Sequence, residues 1–411
     1  MNEDQIIKAI NAYSIELYGK LKELGGNLFF SPFSIFTTLL MVLEGACGLT
    51  EVQLKDALHI ISEQTSLRDG FKDLMKIFQR KGGSELYSAN LMCTQETYPP
   101  LDEYLSILEN IYKGELWCLD FSDDKGICDK INSWVSKQTR GKIKQTINRI
   151  DPATIFILLN AIYFKGKWFH QFDEGNTFID PFTLISGKEV MVNMMYQRRK
   201  FRYLDKKGYK VIEMFYEGSK STPEEISMVI FLPKEKDGLI ELEDKLDIEK
   251  LDDDLLKLQN TRMREVKVYF PRFKIETSYN LIQPHQELGI TEAFNVNADL
   301  SRIVEDVLIF INEFIHKAII DVTEEGVEAA ALTMIAAPTG YPPPSKSFEF
   351  RADHPFLYLI IDSQKRTILF FGRLMEPEGS LPPKRAIPNR PLSLRETMIK
   401  EADRLRKFFK K

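Results

Sequence analysis

The side chains that most often do chemistry are dispersed along this chain. The five histidines, His59, His170, His285, His316 and His354, stand apart, and none falls in an HExxH-type spacing. Cys47, Cys93, Cys118 and Cys128 lack the close pairs of a thiolate metal site. They read as buried free thiols, since a disulfide framework is uncommon in so large a chain. No G-x-S-x-G nucleophile elbow occurs. Neither a metal, a cofactor nor an enzymatic activity is therefore expected.

The distinctive chemistry lies in residues 321–337, Asp-Val-Thr-Glu-Glu-Gly-Val-Glu-Ala-Ala-Ala-Leu-Thr-Met-Ile-Ala-Ala. By propensity this is a helix start, with acids in the first turn and then Ala, Leu and Met. It also reads as a strand. One face would carry Val327, Ala329, Ala331, Thr333, Ile335 and Ala337, and the other Glu328, Ala330, Leu332, Met334 and Ala336. The single charge falls on the outward face. No Gly or Pro interrupts 327–337, which at ~3.3 Å per residue would span about 36 Å. Pro338 then ends further pairing.

The elements around this segment change in texture along the chain. Residues 3–24 carry Ile6, Ile10, Tyr13, Leu17, Leu21 and Leu24 at helical spacing, stopped by Gly25-Gly26. Ser31-Pro32 opens a second helix that runs to Gly45. Residues 131–140 predict a third, closed by Gly141. From about 154, strand-like runs follow at 155–163, 228–231, 266–270, 356–361 and 367–371. Helices followed by strands indicate an α+β fold.

Length and charge set outer bounds. A chain of 411 residues would ordinarily split into two or three domains, because single cores stop growing near ~250–300 residues. The net charge of −5 argues against nucleic acid as a partner. The N-terminus, Met-Asn-Glu-Asp-Gln, carries no signal-peptide pattern, and no Asn-x-Ser/Thr sequon is present. A cytoplasmic protein is expected, with non-classical release left open.

A series of ordered motifs then carries a family resemblance over about residues 5–377. Asn27-Leu28, Ser31-Pro32-Phe33-Ser34-Ile35 and Gly45-Ala46-Cys47-Gly48-Leu49-Thr50 come first. Ile131-Asn132-x-Trp134-Val135 leads to Thr139-x-Gly141-Lys142-Ile143. Asn160-Ala161-Ile162-Tyr163-Phe164-Lys165-Gly166-x-Trp168 follows. Next are Pro271-Arg272-Phe273-Lys274-Ile275, Ala298-Asp299-Leu300-Ser301 and His316-Lys317-Ala318. His354-Pro355-Phe356 and Phe370-Phe371-Gly372-Arg373 close the set. In this order they resemble the serpins, inhibitors of serine proteases.

The resemblance implies one serpin domain over 1–377, with three β-sheets, eight or nine helices and an exposed reactive-centre loop at about 324–347. It implies a suicide-substrate mechanism. A serine protease acylates itself on the loop, and the loop then inserts into the main sheet with the protease attached. Glu324, Glu325, Gly326, Val327, Glu328, Ala329, Ala330 and Ala331 match the hinge. Ser31, Ser34, Asn160 and His316 match a buried polar cluster under the main sheet. Trp168 matches the aromatic where the loop enters, and Arg272 and Glu324 are expected to pair there. Val327 stands where the family usually has Thr or Ser, and Leu332 replaces a smaller residue.

Counted forward from the hinge, the resemblance implies a scissile bond among Thr339, Gly340 and Tyr341; counted back from His354-Pro355, it implies one about four residues later. Tyr341 suits a chymotrypsin-like pocket, although Pro342 would impede cleavage after it, and Thr339 and Gly340 suit an elastase-like one. No Lys or Arg occurs from Val327 through Pro344, so trypsin-like targets are disfavoured. A non-inhibitory binding or chaperone module is the alternative. The inhibitor is expected to be a monomer.

The last residues depart from the family. Residues 378–411 read as a Pro-rich linker and a basic amphipathic helix, with Leu394, Met398, Ala402, Leu405 and Phe409 in a stripe. Residues 394–411 hold seven Lys or Arg against three acids. An anionic surface or a glycosaminoglycan is the partner this pattern suggests, against a plain docked or solvated helix.

Overall fold

The computed structural model describes residues 1–76, 84–218, 223–327 and 348–377. Glu328, Ala329, Ala330 and Ala331 of the expected hinge, the scissile candidates Thr339, Gly340 and Tyr341, and the tail 378–411 lie outside the described residues.

Nine α-helices occur among the described residues: α1 (Glu3–Leu21), α2 (Pro32–Gly45), α3 (Gly48–Ala57), α4 (Gln64–Met75), α5 (Asp102–Ile107), α6 (Asp124–Gln138), α7 (Leu239–Asp244), α8 (Ile248–Gln259) and α9 (Ile282–Glu287). The strands are β1 (Leu28–Phe30), β2 (Ser84–Gln95), β3 (Glu115–Leu119), β4 (Phe156–Lys167), β5 (Phe178–Thr183), β6 (Glu189–Asp205), β7 (Tyr209–Glu217) and β8 (Pro223–Pro233). They continue with β9 (Arg264–Pro271), β10 (Phe273–Asn280), β11 (Ile311–Thr323), β12 (Gly326–Val327), β13 (Phe348–Arg351), β14 (Phe356–Asp362) and β15 (Thr367–Leu374).

A six-stranded sheet runs in the order β10-β11-β12-β4-β2-β3. The other strands form a nine-stranded ladder, β1-β15-β14-β8-β7-β6-β9-β13, with β5 also on β6. That ladder is two sheets continuous through β6, which pairs with β9 as far as Phe201 and with β7 from Arg202. With the six-stranded sheet they make up the three expected sheets.

Helix α2 links the layers. Ser31 caps it, its Oγ accepting the Ser34 N–H at 3.1 Å, and Pro32 occupies the first turn. Every residue of α2 is buried, so the helix is apolar around its whole girth and runs through the core. Its end needs Gly45, because a Cβ there would lie 2.0 Å from Ile303 Cγ1. One face of the six-stranded sheet packs on this large core through Phe156, Leu158, Ile162 and Phe164. The opposite face carries Ile157, Leu159, Ala161 and Tyr163 against Ile127, Ile131 and Val135 of α6. Strand β4 is therefore buried on both faces, which explains its unbroken apolar run.

All four cysteines are free. The expectation that they are buried holds for Cys93 and Cys128; Cys47 is half-buried and Cys118 is exposed on β3, a strand at the edge of its sheet.

Candidate functional site

The central feature of the six-stranded sheet is a seam that is closed below and open above. Strands β11 and β4 pair directly and in parallel from Ile311 opposite Phe156 up to Ile319 opposite Tyr163. Above that point β12 lies between them. Gly326 pairs with Thr323 on one side and Lys167 on the other, and Val327 with Val322 and Gly166. Two residues of the expected hinge thus already form a strand antiparallel to both neighbours. A sheet spaces its strands ~4.8 Å apart, so β11 and β4 must diverge to admit it.

Trp168 secures the top of this fork. Its indole N–H donates to the Thr323 carbonyl at 3.0 Å, and its backbone N–H donates to Glu325 O at 2.8 Å. The ring stacks on Tyr216 with centroids 4.6 Å apart and planes 9° from parallel. Glu324 turns inward and is only 3% exposed. Its carboxylate accepts from Thr177 Oγ at 2.7 Å, and Arg272 Nε lies 3.4 Å away, the pair expected from the sequence. The Glu324 carbonyl also accepts the Phe172 N–H at 2.9 Å. Gly326 has φ +128°, and a Cβ there would sit 2.3 Å from Gly166 O and 2.6 Å from Trp168 N. Only glycine fits this close backbone approach.

Midway down the seam lies the polar cluster. Asn90, Asn160, His316 and Tyr279 are register partners across β2, β4, β11 and β10. His316 Nδ1 donates to Asn160 Oδ1 at 2.6 Å, and its Nε2 accepts the Ser31 N–H at 3.2 Å. Both ring nitrogens of the neutral imidazole are therefore satisfied. Complete burial pushes the His316 pKa down to about 3. Asn160 Nδ2 donates to Ser34 Oγ at 2.6 Å, and Ser31 Oγ donates to the Leu369 carbonyl at 2.7 Å. The N-terminus of α2 is thus bound through this cluster to both strands of the seam.

The structure brings Ser31, Ser34, Asn160 and His316 together as one group, and Trp168, Arg272, Glu324, Glu325 and Gly326 as a second group higher on the seam. Asn90 and Ser88 belong to the first group and carry no sequence signal of it: Asn160 Nδ2 also donates to Asn90 Oδ1, and Ser88 Oγ lies 3.0 Å from Ser34 Oγ. At the foot of the seam Asn312, where β11 bulges, accepts the N–H groups of Ile155 and Phe156 at 2.7 and 3.2 Å. Lys317 reaches across from β11 to the Gln145 carbonyl beyond α6. Among the described residues, no group of three or more His, Cys, Asp and Glu side chains could hold a metal.

Comparison with known proteins follows this geometry. Residues 8–377 match the family described as "Serpin (serine protease inhibitor)". The chain is 38% identical over 386 residues to leukocyte elastase inhibitor of Bos taurus, covering 91% of this chain and 100% of that protein. Among solved structures it is similar to the thermophilic serpin tengpin in the native state, with TM-score 0.82 and 26% identity, covering 90% of this chain and 94% of the other. Uncleaved ovalbumin gives TM-score 0.82 at 31% identity, covering 91% and 100%.

Proposed function

The chain belongs to the serpin family, and from that premise we propose that it is itself an inhibitor of chymotrypsin- or elastase-like serine proteases that traps them by inserting its cleaved loop. The observation that carries this reading is β12, already paired on both edges between β11 and β4. A strand that has started needs only to propagate, successive residues gaining ladder bonds alternately to β11 and β4 while the parallel β11–β4 pairs below are given up.

The register supports the same reading. Continued residue by residue from Val327 opposite Gly166, it brings Thr333 level with Asn160 and His316, and Ala337 level with Phe156, where β4 begins. The one polar residue of the face that shares Val322's register would then meet the polar cluster. Pro338 would fall just beyond the paired length. By alternation Ala330, Leu332, Met334 and Ala336 would face the layer beneath α6. That layer is apolar, so Leu332 suits it better than a solvent-facing site would.

Leukocyte elastase inhibitor is a relative whose name states an elastase target. With no cation between Val327 and Pro344, we extend that target class to this chain, with cleavage among Thr339, Gly340 and Tyr341. No residue of the serpin acts as a catalyst in this scheme: the protease serine makes and holds the acyl bond. The tail 378–411 is proposed as a separate basic segment for an anionic surface.

The test mixes the full chain with chymotrypsin and with pancreatic and neutrophil elastase. A denaturant-stable band at the summed mass, with release of a C-terminal fragment of about seventy residues beginning near 340–342, is expected. Cleavage without such a band for all three would instead favour a non-inhibitory member, for which the sequence clues are Val327 at the usual Thr or Ser position and a long loop stiffened by Pro342-Pro343-Pro344.

A further inference from the structure

A cavity of about 140 Å³ lies beside Trp168, away from the hinge bonds. It forms where β6 changes partner. The β6–β7 pairing is not extended past Arg202 and Glu213. The next residues of β7 turn instead to the end of β4: Phe169 N–H donates to Phe215 O at 2.9 Å, and Tyr216 bridges Trp168. The opening is lined by Trp168, Phe169, Phe201, Met214, Phe215 and Met263. A cavity of roughly 150 Å³ lined by apolar groups takes benzene, so one aromatic ring fits.

One buried polar atom in this lining is unpaired among the described residues. Gln197, 8% exposed, lines the cavity. Its Nε2 donates to the His170 carbonyl at 3.3 Å, which fixes the orientation of the amide. Its Oε1 accepts no hydrogen bond among the described residues. A buried acceptor without a donor is uncommon in folded proteins, and a ligand hydroxyl would satisfy it. The charge around the cavity is positive. Lys200 lines it and is exposed, and Arg199 is its exposed neighbour in sequence. Two carboxylates of the flanking strands are engaged, Glu213 by Arg202 and Ser227 and Glu265 by Arg198.

We propose that this cavity is a ligand site for a single-ring phenol carrying a short carboxylate arm. The ring packs among Trp168, Phe201 and Phe215, the hydroxyl donates to Gln197 Oε1, and the carboxylate meets Lys200. Trp168 is shared with the hinge, whose Thr323 and Glu325 carbonyls it holds.

The experiment titrates the full chain, by calorimetry and ligand-observed NMR, with 4-hydroxyphenylacetate, phenylacetate and 4-methylphenol. The hydroxy acid is expected to bind tightest, with loss of the hydroxyl weakening it about tenfold. Lys200→Glu should weaken both acids and leave 4-methylphenol unchanged. Gln197→Met should erase the difference between the two acids, with circular dichroism checking the fold. Lys200 is exposed, so its variant still tests the site where Gln197→Met fails to fold. Equal binding of all three probes, no binding at roughly 1 mM, or hydroxy-acid affinity unchanged in Lys200→Glu would each overturn the proposal.

Discussion

His316 and Asn160 hold the seam of the main sheet from its two sides: they are register partners of β11 and β4, and His316 Nδ1 donates to Asn160 Oδ1 at 2.6 Å. A neutral imidazole serves both this bond and the one from Ser31 N–H. Protonation would put a second donor on Nε2, facing the Ser31 donor, inside a buried site. The folded-state pKa is about 3 for His316 and about 4 for His285, both depressed by burial. An unfolded histidine titrates near ~6.5. The unfolded chain therefore takes up protons first as pH falls. Stability is full above ~6.5 and declines below it by about 1.4 kcal/mol per pH unit for each histidine. Denaturant midpoints at pH 7 and pH 5 check this. His316→Gln or His285→Gln should each flatten the pH dependence; an unchanged dependence in both variants would remove histidine as its cause.

Gly326 controls entry to the seam. An added methyl would meet Gly166 O and Trp168 N, both backbone atoms that cannot swing aside, at a φ of +128°. Gly326→Ala should displace β12 from between β11 and β4. The expected outcome is a chain still cut by the target protease but trapping it poorly, so that the moles of serpin consumed per mole of protease inhibited rise several-fold. Titration of residual protease activity measures this. An unchanged stoichiometry would show that hinge pairing before cleavage is not needed for insertion.

Glu324 is a buried carboxylate whose cationic partner, Arg272, is half-exposed. Removing the cation leaves the carboxylate buried with the Thr177 hydroxyl for support. Arg272→Ala should cost the uncleaved form about 1–2 kcal/mol, seen as a lower midpoint in mild denaturant. Glu324→Gln keeps the shape and removes the charge, so the pair Arg272→Ala plus Glu324→Gln should be more stable than Arg272→Ala alone. A double variant that is no better would mean that the ion pair contributes nothing measurable at this half-exposed site.

The parts of this arrangement written in local sequence are legible there, and those written in long-range contacts are not. Helix α2 is announced by Ser31-Pro32 and Gly45, and the observed bounds agree. Helix α6 begins at Asp124, earlier than the apolar pattern from Ile131 suggests, because Asp123 caps it through the Gly126 N–H despite a glycine in the first turn. Strand β2 carries no sequence mark. It is buried on both faces over Ala89–Thr94, so no alternation reveals it, and Ser88 and Asn90 look like loop residues. Those two polar residues are in the strand because their partners, Ser34 and Asn160, arrive from distant elements. The family motifs supply Ser34 and Asn160, which no spacing rule connects to His316.

The basic tail makes an independent prediction. Residues 394–411 carry a net charge of +4. A chain ending at 377 should inhibit as the full chain does, and should lose retention on heparin resin or anionic vesicles. Retention of the full chain should weaken steeply between low and physiological salt, as expected for exposed charges screened over ~8–10 Å. Equal retention of both forms would assign any anion binding to the body of the protein.

Thr333 tests the register itself. If β12 extends without slipping, residue 333 arrives between Asn160 and His316, inside the polar cluster and away from water. A guanidinium there would be buried beside an imidazole that must stay neutral, with no carboxylate in the cluster to meet it. Thr333→Arg should therefore leave the uncleaved protein's stability unchanged, since the residue precedes insertion. It should stall the inserting strand after Leu332. Cleaved Thr333→Arg should then gain little thermal stability over its uncleaved form, whereas the cleaved parent should gain a large rise in Tm. Glu328→Arg, which in the same register falls level with the half-buried Lys165 and Asp321 near the mouth of the seam, replaces a residue that is already charged and should hinder less. If the two variants behave alike, the strand does not keep the register that Val327 sets.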